Sequence, residues 1–328
     1  MVILRHSTPE VNDLIGAQQR ILMAILLNNH GYDNAPWVEA LGDYLPQLPI
    51  YQFPNIPNPE EIHYAVVWHH PHGDLINYPN LKAVMILGAG TDHIDQDPEL
   101  PDVPLVRLLD PDVGNDMAQY ACYWTMHFHR QYERYRQQKF TQHWQRHEVT
   151  RSVDFTVSIL GLGLIGSLIA ERIALNGYNT LAWNRSQKNL AQVVCHSGDQ
   201  GLTEVLAISD VVINCLPLSA QTYHLLNKSS LSQLPKGASL INLSRGAIID
   251  DTALIGLLGS GHIAAAALDV FVEEPLPAES PFWHLDNVFV TPHTAGATYP
   301  KSAARVVADN ILRVENGQMP FPIHRPKP

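Results

Sequence analysis

Apolar positions along this chain fall into short continuous runs, separated by polar stretches with helical spacing. Residues 21–27, 64–68, 81–87 and 103–108 are four such runs in the first third of the chain. A continuous run predicts a strand covered on both faces, the pattern of a parallel sheet, where a half-exposed strand would alternate. Residues 35–41 open a helix between the first two runs. The series then begins afresh: 155–160, 179–183, 210–216, 239–243, 264–268 and 288–291 read as strands with helices between them.

Met117, Tyr120, Ala121, Trp124 and Phe128 recur on one side of a long helix predicted from Gly114 to about Arg136, which links the two series. A final helix over about 301–315, followed by proline-rich coil, is expected to return to the first series. The fold class expected is therefore α/β: two Rossmann-like or flavodoxin-like lobes with parallel sheets and a cleft between them. Residues 1–113 plus 298–328 form the expected first domain and 114–297 the second. Residues 1–20 match nothing that follows, and Met23 is expected to be the natural start.

Bulk properties narrow the function classes. The chain has 328 residues and a net charge of −11, which argues against a general nucleic-acid surface. No apolar run is long enough for a membrane helix, and Glu10, Asn12 and Asp13 interrupt any secretory signal. Three scattered cysteines, Cys122, Cys195 and Cys215, suit a reducing cytoplasm better than a disulfide framework.

The clearest chemistry is Gly161-Leu162-Gly163-Leu164-Ile165-Gly166, directly after the 155–160 strand and opening a helix. Gly161 makes the turn, Gly163 lets the backbone approach a pyrophosphate, and Gly166 permits close helix–strand packing. A dinucleotide is the expected ligand; a glycine turn serving another ligand, as in a methyltransferase, is the alternative. At the end of the next strand an NAD site places an acid on the ribose 2′-hydroxyl. Here Trp183 is followed by Asn184, Arg185 and Ser186, with Lys188 nearby. No negative charge repels a 2′-phosphate, and Arg185 can fork onto it, so NADPH is expected over NADH. Arg185 and Lys188 could equally be ordinary solvated charges.

Downstream, Arg245, Glu274 and His293 follow one another in N-L-S-R-G, D-V-F-V-E-E-P and T-P-H. A cation, an acid and an imidazole are what reduction of a keto acid needs. The cation binds the anion and polarises its carbonyl, the imidazole gives a proton, and the acid keeps the imidazole charged. His69-His70-Pro71-His72 resembles a metal cluster but lacks a fourth ligand, and no metal is expected.

These motifs, together with Leu87-Gly88-Ala89-Gly90-Thr91-Asp92, Val67-Trp68-His69-His70-Pro71, Asn214-Cys215-Leu216-Pro217 and Leu268-Asp269-Val270-Phe271, resemble the D-isomer-specific 2-hydroxyacid dehydrogenases. The likeness runs from about Met23 to Gln318 and is strongest to the NADPH-dependent glyoxylate/hydroxypyruvate reductases. It implies that Arg245 binds substrate, that His293 is the general acid in reduction, and that Glu274 pairs with His293. It implies that Ala89 and Gly90 hold the substrate carboxylate through backbone N–H groups. Asp269 would bind the nicotinamide carboxamide, and Leu164, Ile165, Leu216, Pro217, Thr222, Leu243 and Ser244 would line the coenzyme. Formate-oxidising relatives carry Gln in place of Glu274. Tyr120, Trp124, Phe128, Tyr132 and Tyr135 form an aromatic stripe on the long helix; core packing would explain it, but the resemblance implies instead a contact in a homodimer paired through the coenzyme lobe. Alternatives are a broader reductase of phenylpyruvate-like or branched acids and a nucleotide-sensing corepressor. A phosphoglycerate dehydrogenase is disfavoured because no regulatory domain follows residue 328.

Overall fold

The computed structural model describes residues 23–88 and 90–325, so the readings on residues 1–22 and on Ala89 lie outside the described residues. In chain order the elements begin with β1 (Ala24–Asn29), α1 (Ala35–Tyr44), β2 (Ile50–Gln52), β3 (Ile62–Trp68), β4 (Ala83–Ile86), α2 (Asp92–Asp95) and β5 (Leu105–Arg107). Then come α3 (Pro111–His129), α4 (Tyr132–Phe140), β6 (Thr156–Leu160), α5 (Leu164–Leu175), β7 (Asn179–Asn184), β8 (Val194–Ser197), α6 (Gly198–Ala207) and β9 (Val211–Asn214). The rest are α7 (Lys228–Leu231), β10 (Ala238–Asn242), α8 (Asp251–Gly259), β11 (Ile263–Leu268), β12 (Val288–Val290), α9 (Pro300–Glu315) and β13 (Ile323–His324).

The chain folds as two compact units. The first takes the described residues to Leu108 and those from Ala303 onward; the second is Leu109–Ser302. Residues 109–113 and 298–302 thus go with the second unit, where the sequence reading placed them in the first. The reason is local. Asp110 caps α3, accepting from the Asp112 N–H at 3.0 Å, and Ser302 Oγ donates to its other oxygen at 2.6 Å.

The first unit's sheet runs β13-β5-β4-β3-β1-β2. All pairings are parallel except β13 with β5, an antiparallel edge in what the sequence suggested was coil. Successive residues of β1 serve opposite faces, as the strand period requires. Ile25 and Leu27 pack with Tyr64, Val66 and Met85 under α1 and α9, while Ala24 and Leu26 pack with Ala65, Val67 and Ile86 on the other face. Two covered faces explain the unbroken apolar runs.

The second unit's sheet is fully parallel, in the order β12-β11-β10-β9-β6-β7-β8, and reverses direction of growth at β6. Strand ends on either side of such a reversal form the ligand crevice of doubly wound sheets. One face, with Val157, Ile159, Val211, Ile213 and Ile241, is covered by α3 and α5.

The long helix departs from expectation. It starts three residues early, at the Pro111 turn, and ends at His129; Gln131 adopts φ 54°, and α4 begins separately. The expected aromatic stripe is therefore divided. Tyr120, Trp124 and Phe128 pack inward, Trp124 lying 4.8 Å from the Phe289 ring, whereas Tyr132 and Tyr135 belong to α4. Among the exposed large apolar groups are Tyr123 and Met126 of α3 and Tyr132 and Phe140 of α4. Among the described residues, no helix is long and apolar enough to cross a membrane.

Candidate active site

The glycine turn sits between β6 and α5, beside the reversal of strand order. Gly161 has φ 98°, open to glycine at little cost. A Cβ on Gly166 would overlap the Gly161 carbonyl oxygen, so only glycine lets α5 start so close to the turn. In front of Gly163 nothing lies within 4 Å, and as N-cap of α5 it offers no side chain to the helix's first N–H groups. An open cradle facing uncapped donors fits a pyrophosphate.

Asn184 ends β7 and is tied to that turn. The Leu162 N–H donates to its Oδ1 at 3.2 Å, and its Nδ2 donates to the Ser186 carbonyl at 2.9 Å and to Ser186 Oγ at 3.2 Å. The side chain that could be read only as uncharged thus shapes the loop. Arg185, Ser186 and Lys188 are exposed on it.

Two buried amides lace the next strand ends together. Asn214 Nδ2 donates to Asn242 Oδ1 at 3.0 Å; the same Asn242 oxygen accepts from the Ser244 N–H at 3.3 Å, and Asn242 Nδ2 donates to the Arg245 carbonyl at 3.1 Å. The Ser244 hydroxyl donates to the Leu216 carbonyl, and Thr222 Oγ1 donates to the Pro217 carbonyl at 2.6 Å. Leu216, Pro217, Thr222, Leu243 and Ser244 are thereby gathered at one edge. The asparagines that do this were legible only as motif letters.

Arg245 leaves β10 with Nη1 donating to the Ser244 carbonyl at 2.7 Å. Gly246 follows it, and a Cβ there would overlap the Phe271 and Val272 backbone. That glycine contact brings the Arg245 turn against the segment leading to Glu274. Glu274 Oε1 accepts from the Phe271 N–H at 2.9 Å, and Oε2 lies 2.7 Å from His293 Nδ1. Burial pushes the Glu274 carboxyl up, but the hydrogen bonds from His293 and Phe271 and the charges of His293 and Arg245 outweigh it and hold it below its usual value. An ionised carboxylate only accepts, so the His293 Nδ1–H donates.

His293 has φ 53°, a conformation costing a non-glycine residue about 1–3 kcal/mol unless its surroundings enforce it. Asp269 is the enforcing group. Its backbone carbonyl accepts from the His293 N–H at 2.8 Å. Its carboxylate, 1% exposed, accepts from the Thr294 N–H at 2.8 Å, the Ala295 N–H at 2.9 Å and Thr291 Oγ1 at 2.6 Å.

In the first unit, Gly90 is described on the loop after β4, partly exposed. A Cβ on Gly88 would overlap the Trp68 ring, which explains the glycine. The histidines after β3 diverge. His70 turns inward, Nε2 lying 2.8 Å from Asp97 Oδ2 with both side chains fully buried, while His69 is exposed with its ring stacked on His93. Among the described residues, no three His, Cys, Asp or Glu side chains converge as a metal site.

Comparison with known proteins agrees with this geometry. Residues 122–295 match the model of the D-isomer specific 2-hydroxyacid dehydrogenase NAD-binding domain. A D-isomer specific 2-hydroxyacid dehydrogenase from Xanthobacter autotrophicus Py2, solved with NADPH and MES, is 37% identical; the match covers 93% of this chain and 98% of that one, with a TM-score of 0.89. A family protein from Klebsiella pneumoniae 342 is 33% identical over 92% of this chain and 97% of its own, with a TM-score of 0.82. The NADPH-dependent glyoxylate/hydroxypyruvate reductase from Sinorhizobium meliloti, solved with NADP and sulfate, is 29% identical over 92% and 98%, with a TM-score of 0.86. This chain belongs to the D-isomer-specific 2-hydroxyacid dehydrogenase family of oxidoreductases.

Proposed function

We propose that this dehydrogenase reduces a small 2-keto acid, glyoxylate or hydroxypyruvate, to the D-2-hydroxy acid, with NADPH preferred over NADH. The observation that carries the reading is the 2.7 Å His293–Glu274 pair, with Arg245 close enough for its charge to act on Glu274. The names and ligands of the Sinorhizobium and Xanthobacter proteins support the substrate class and the coenzyme.

NADPH, when bound along the Gly161–Gly166 turn, supplies the hydride to C2. Arg245 holds the substrate carboxylate and polarises its keto oxygen through a planar fork. His293 Nδ1 is occupied by Glu274, which leaves Nε2 to give its proton to that oxygen. Glu274, kept ionised, accepts from Nδ1 and fixes the ring's orientation. Gly90, with Ala89, adds backbone donors for the carboxylate. Arg185, Ser186 and Lys188 take the 2′-phosphate, Asp269 meets the carboxamide, and Leu164, Ile165, Leu216, Pro217, Thr222, Leu243 and Ser244 line the coenzyme. In this reading the second unit is the coenzyme domain and the first the substrate domain.

The protein acts in the cytoplasm as a homodimer. Its three free cysteines suit a reducing compartment, and the exposed Tyr123, Met126 and Tyr132 suit burial by a second copy. Light scattering on the purified chain measures the second point; a monomer would refute it.

The deciding experiment follows nicotinamide absorbance with glyoxylate, hydroxypyruvate, pyruvate and phenylpyruvate, each with NADPH and NADH. Highest kcat/KM for the two small polar acids with NADPH is expected. Best turnover of phenylpyruvate would replace the reading with a broader reductase, and no turnover of any acid would sink it.

A further inference from the structure

Helix α3 touches the loop carrying His293 at two points. A Cβ on Gly296 would press on the Met117 side chain, and the Tyr120 hydroxyl lies 2.9 Å from Thr291 Oγ1. The direction of the second contact follows from its neighbours. Thr291 Oγ1 is 2.6 Å from Asp269 Oδ1, and both Asp269 oxygens accept backbone N–H groups, from Thr294 and Ala295. A carboxylate accepts, so Thr291 donates to it and its own oxygen is left to accept from Tyr120. The result is a directed chain, Tyr120 to Thr291 to Asp269. Burial pushes the Tyr120 hydroxyl up to about 12, so it keeps its proton across the working range. Trp124, one turn along the same helix, packs on Phe289 of β12, which leads directly into Thr291.

The chemistry proposed above makes no use of Tyr120 or Thr291, and α3 precedes the glycine turn in sequence. Yet the donors that fix Asp269 decide whether its carboxylate stays aimed at the Thr294 and Ala295 N–H groups, and those N–H groups hold the left-handed turn at His293. We propose that Tyr120 and Thr291 are positioning residues which, through Asp269, hold the His293 turn in the geometry for proton transfer. The catalytic consequence rests on the reading of His293 as general acid; the structural consequence does not.

Three variants test it: Tyr120→Phe and Thr291→Val, which remove one hydroxyl each at nearly constant shape, and Thr291→Ser, which keeps one. The first readout is backbone hydrogen exchange over residues 291–296 of the full chain without coenzyme. Faster exchange in Tyr120→Phe and Thr291→Val, with Thr291→Ser unchanged, is expected; unchanged exchange in all three overturns the proposal. The second readout is glyoxylate reduction with NADPH. Thr291→Val should lose about tenfold or more in kcat, the scale of one hydrogen bond to a charged group, and Tyr120→Phe about threefold to tenfold, the scale of a neutral one, with KM for glyoxylate within about twofold. Their solvent deuterium isotope effect on kcat should rise, because proton transfer becomes slower relative to other steps. A fall in kcat with an unchanged isotope effect would mean only less active protein and would overturn the positioning role, as would unchanged kcat. If the unaltered protein reduces no 2-keto acid, the proposed function fails, and the exchange comparison alone decides whether Tyr120 and Thr291 hold the turn.

Discussion

Asn184 accepts a hydrogen bond from the Leu162 N–H, joining the end of β7 to the middle of the glycine turn. An aspartate there could accept the same bond but could not donate to Ser186 as the Asn184 Nδ2 does, and it would add a negative charge where the proposed function puts the coenzyme ribose. With no carboxylate at that point, the exposed Arg185 and Lys188 are the charges of the loop. Arg185→Asp should therefore move the ratio of NADPH to NADH kcat/KM toward NADH by about tenfold or more, the scale of a charge-assisted hydrogen bond. Steady-state kinetics with both coenzymes measure it, and an unchanged ratio would remove Arg185 from phosphate recognition.

His293→Ala should lower kcat for reduction by about a hundredfold to ten-thousandfold, the usual range for a general acid, with NADPH binding retained. Fluorescence titration separates the two effects. Near-normal turnover would exclude His293 from the mechanism.

The pH profile tests Glu274. Its carboxyl is held below the ordinary glutamate value of 4.5, so its charge is present above that range and is lost only as pH falls through the depressed value. Reduction should accordingly show no acid-side loss from Glu274 near neutrality. In Glu274→Gln the carboxylate that accepts from His293 Nδ1 is lost, and kcat/KM should fall by about tenfold or more. Unchanged kcat/KM would show that the 2.7 Å pair does not serve proton transfer.

Gly246→Ala should separate the Arg245 turn from the Phe271–Val272 backbone, since its Cβ would overlap that backbone. A displacement of about 1 Å in a positioning group can cost on the order of a hundredfold, so kcat/KM should fall by about that much while NADPH affinity changes little. Full activity in a folded variant would mean that the turn is not tightly constrained.

In the first unit, Asp97→Asn replaces a carboxylate that accepts from His70 Nε2 and from the Gly73 and Glu99 N–H groups by a neutral amide, and should destabilise by about 1–3 kcal/mol at neutral pH. Burial pushes the Asp97 carboxyl up, but the Glu99 N–H, His70 and the Gly73 N–H together bring it below its usual value. Its contribution is thus present above the unfolded carboxylate range and lost as pH falls through the folded value. Urea unfolding at neutral and acid pH should show the gap between variant and parent narrowing in acid; a gap independent of pH would mean that the Asp97 charge contributes nothing.

Both α/β series, the glycine turn, and the order Arg245, Glu274, His293 were legible in the chain because each depends on local pattern: buried runs, a strand–turn–helix punctuation, and side-chain chemistry placed after strands. The break at Gln131 was not legible, since the apolar spacing continues across it and only a left-handed backbone interrupts the helix. Nor was the short antiparallel β13, whose two residues have no periodicity to show and gain their place by pairing with Val106 and Leu105.

By itself, then, the sequence determined the class of fold, the coenzyme turn and the chemical types at the site, because short-range sterics and burial dictate these. Tertiary structure alone decided what holds the site together. Asn214 and Asn242 join across adjacent strands, Gly246 meets Phe271, and Tyr120 reaches Thr291 171 residues away. Such contacts between distant positions leave no periodic trace in a single chain; they arise when parallel strands bring their carboxyl ends, and the turns that follow, to one edge of the sheet.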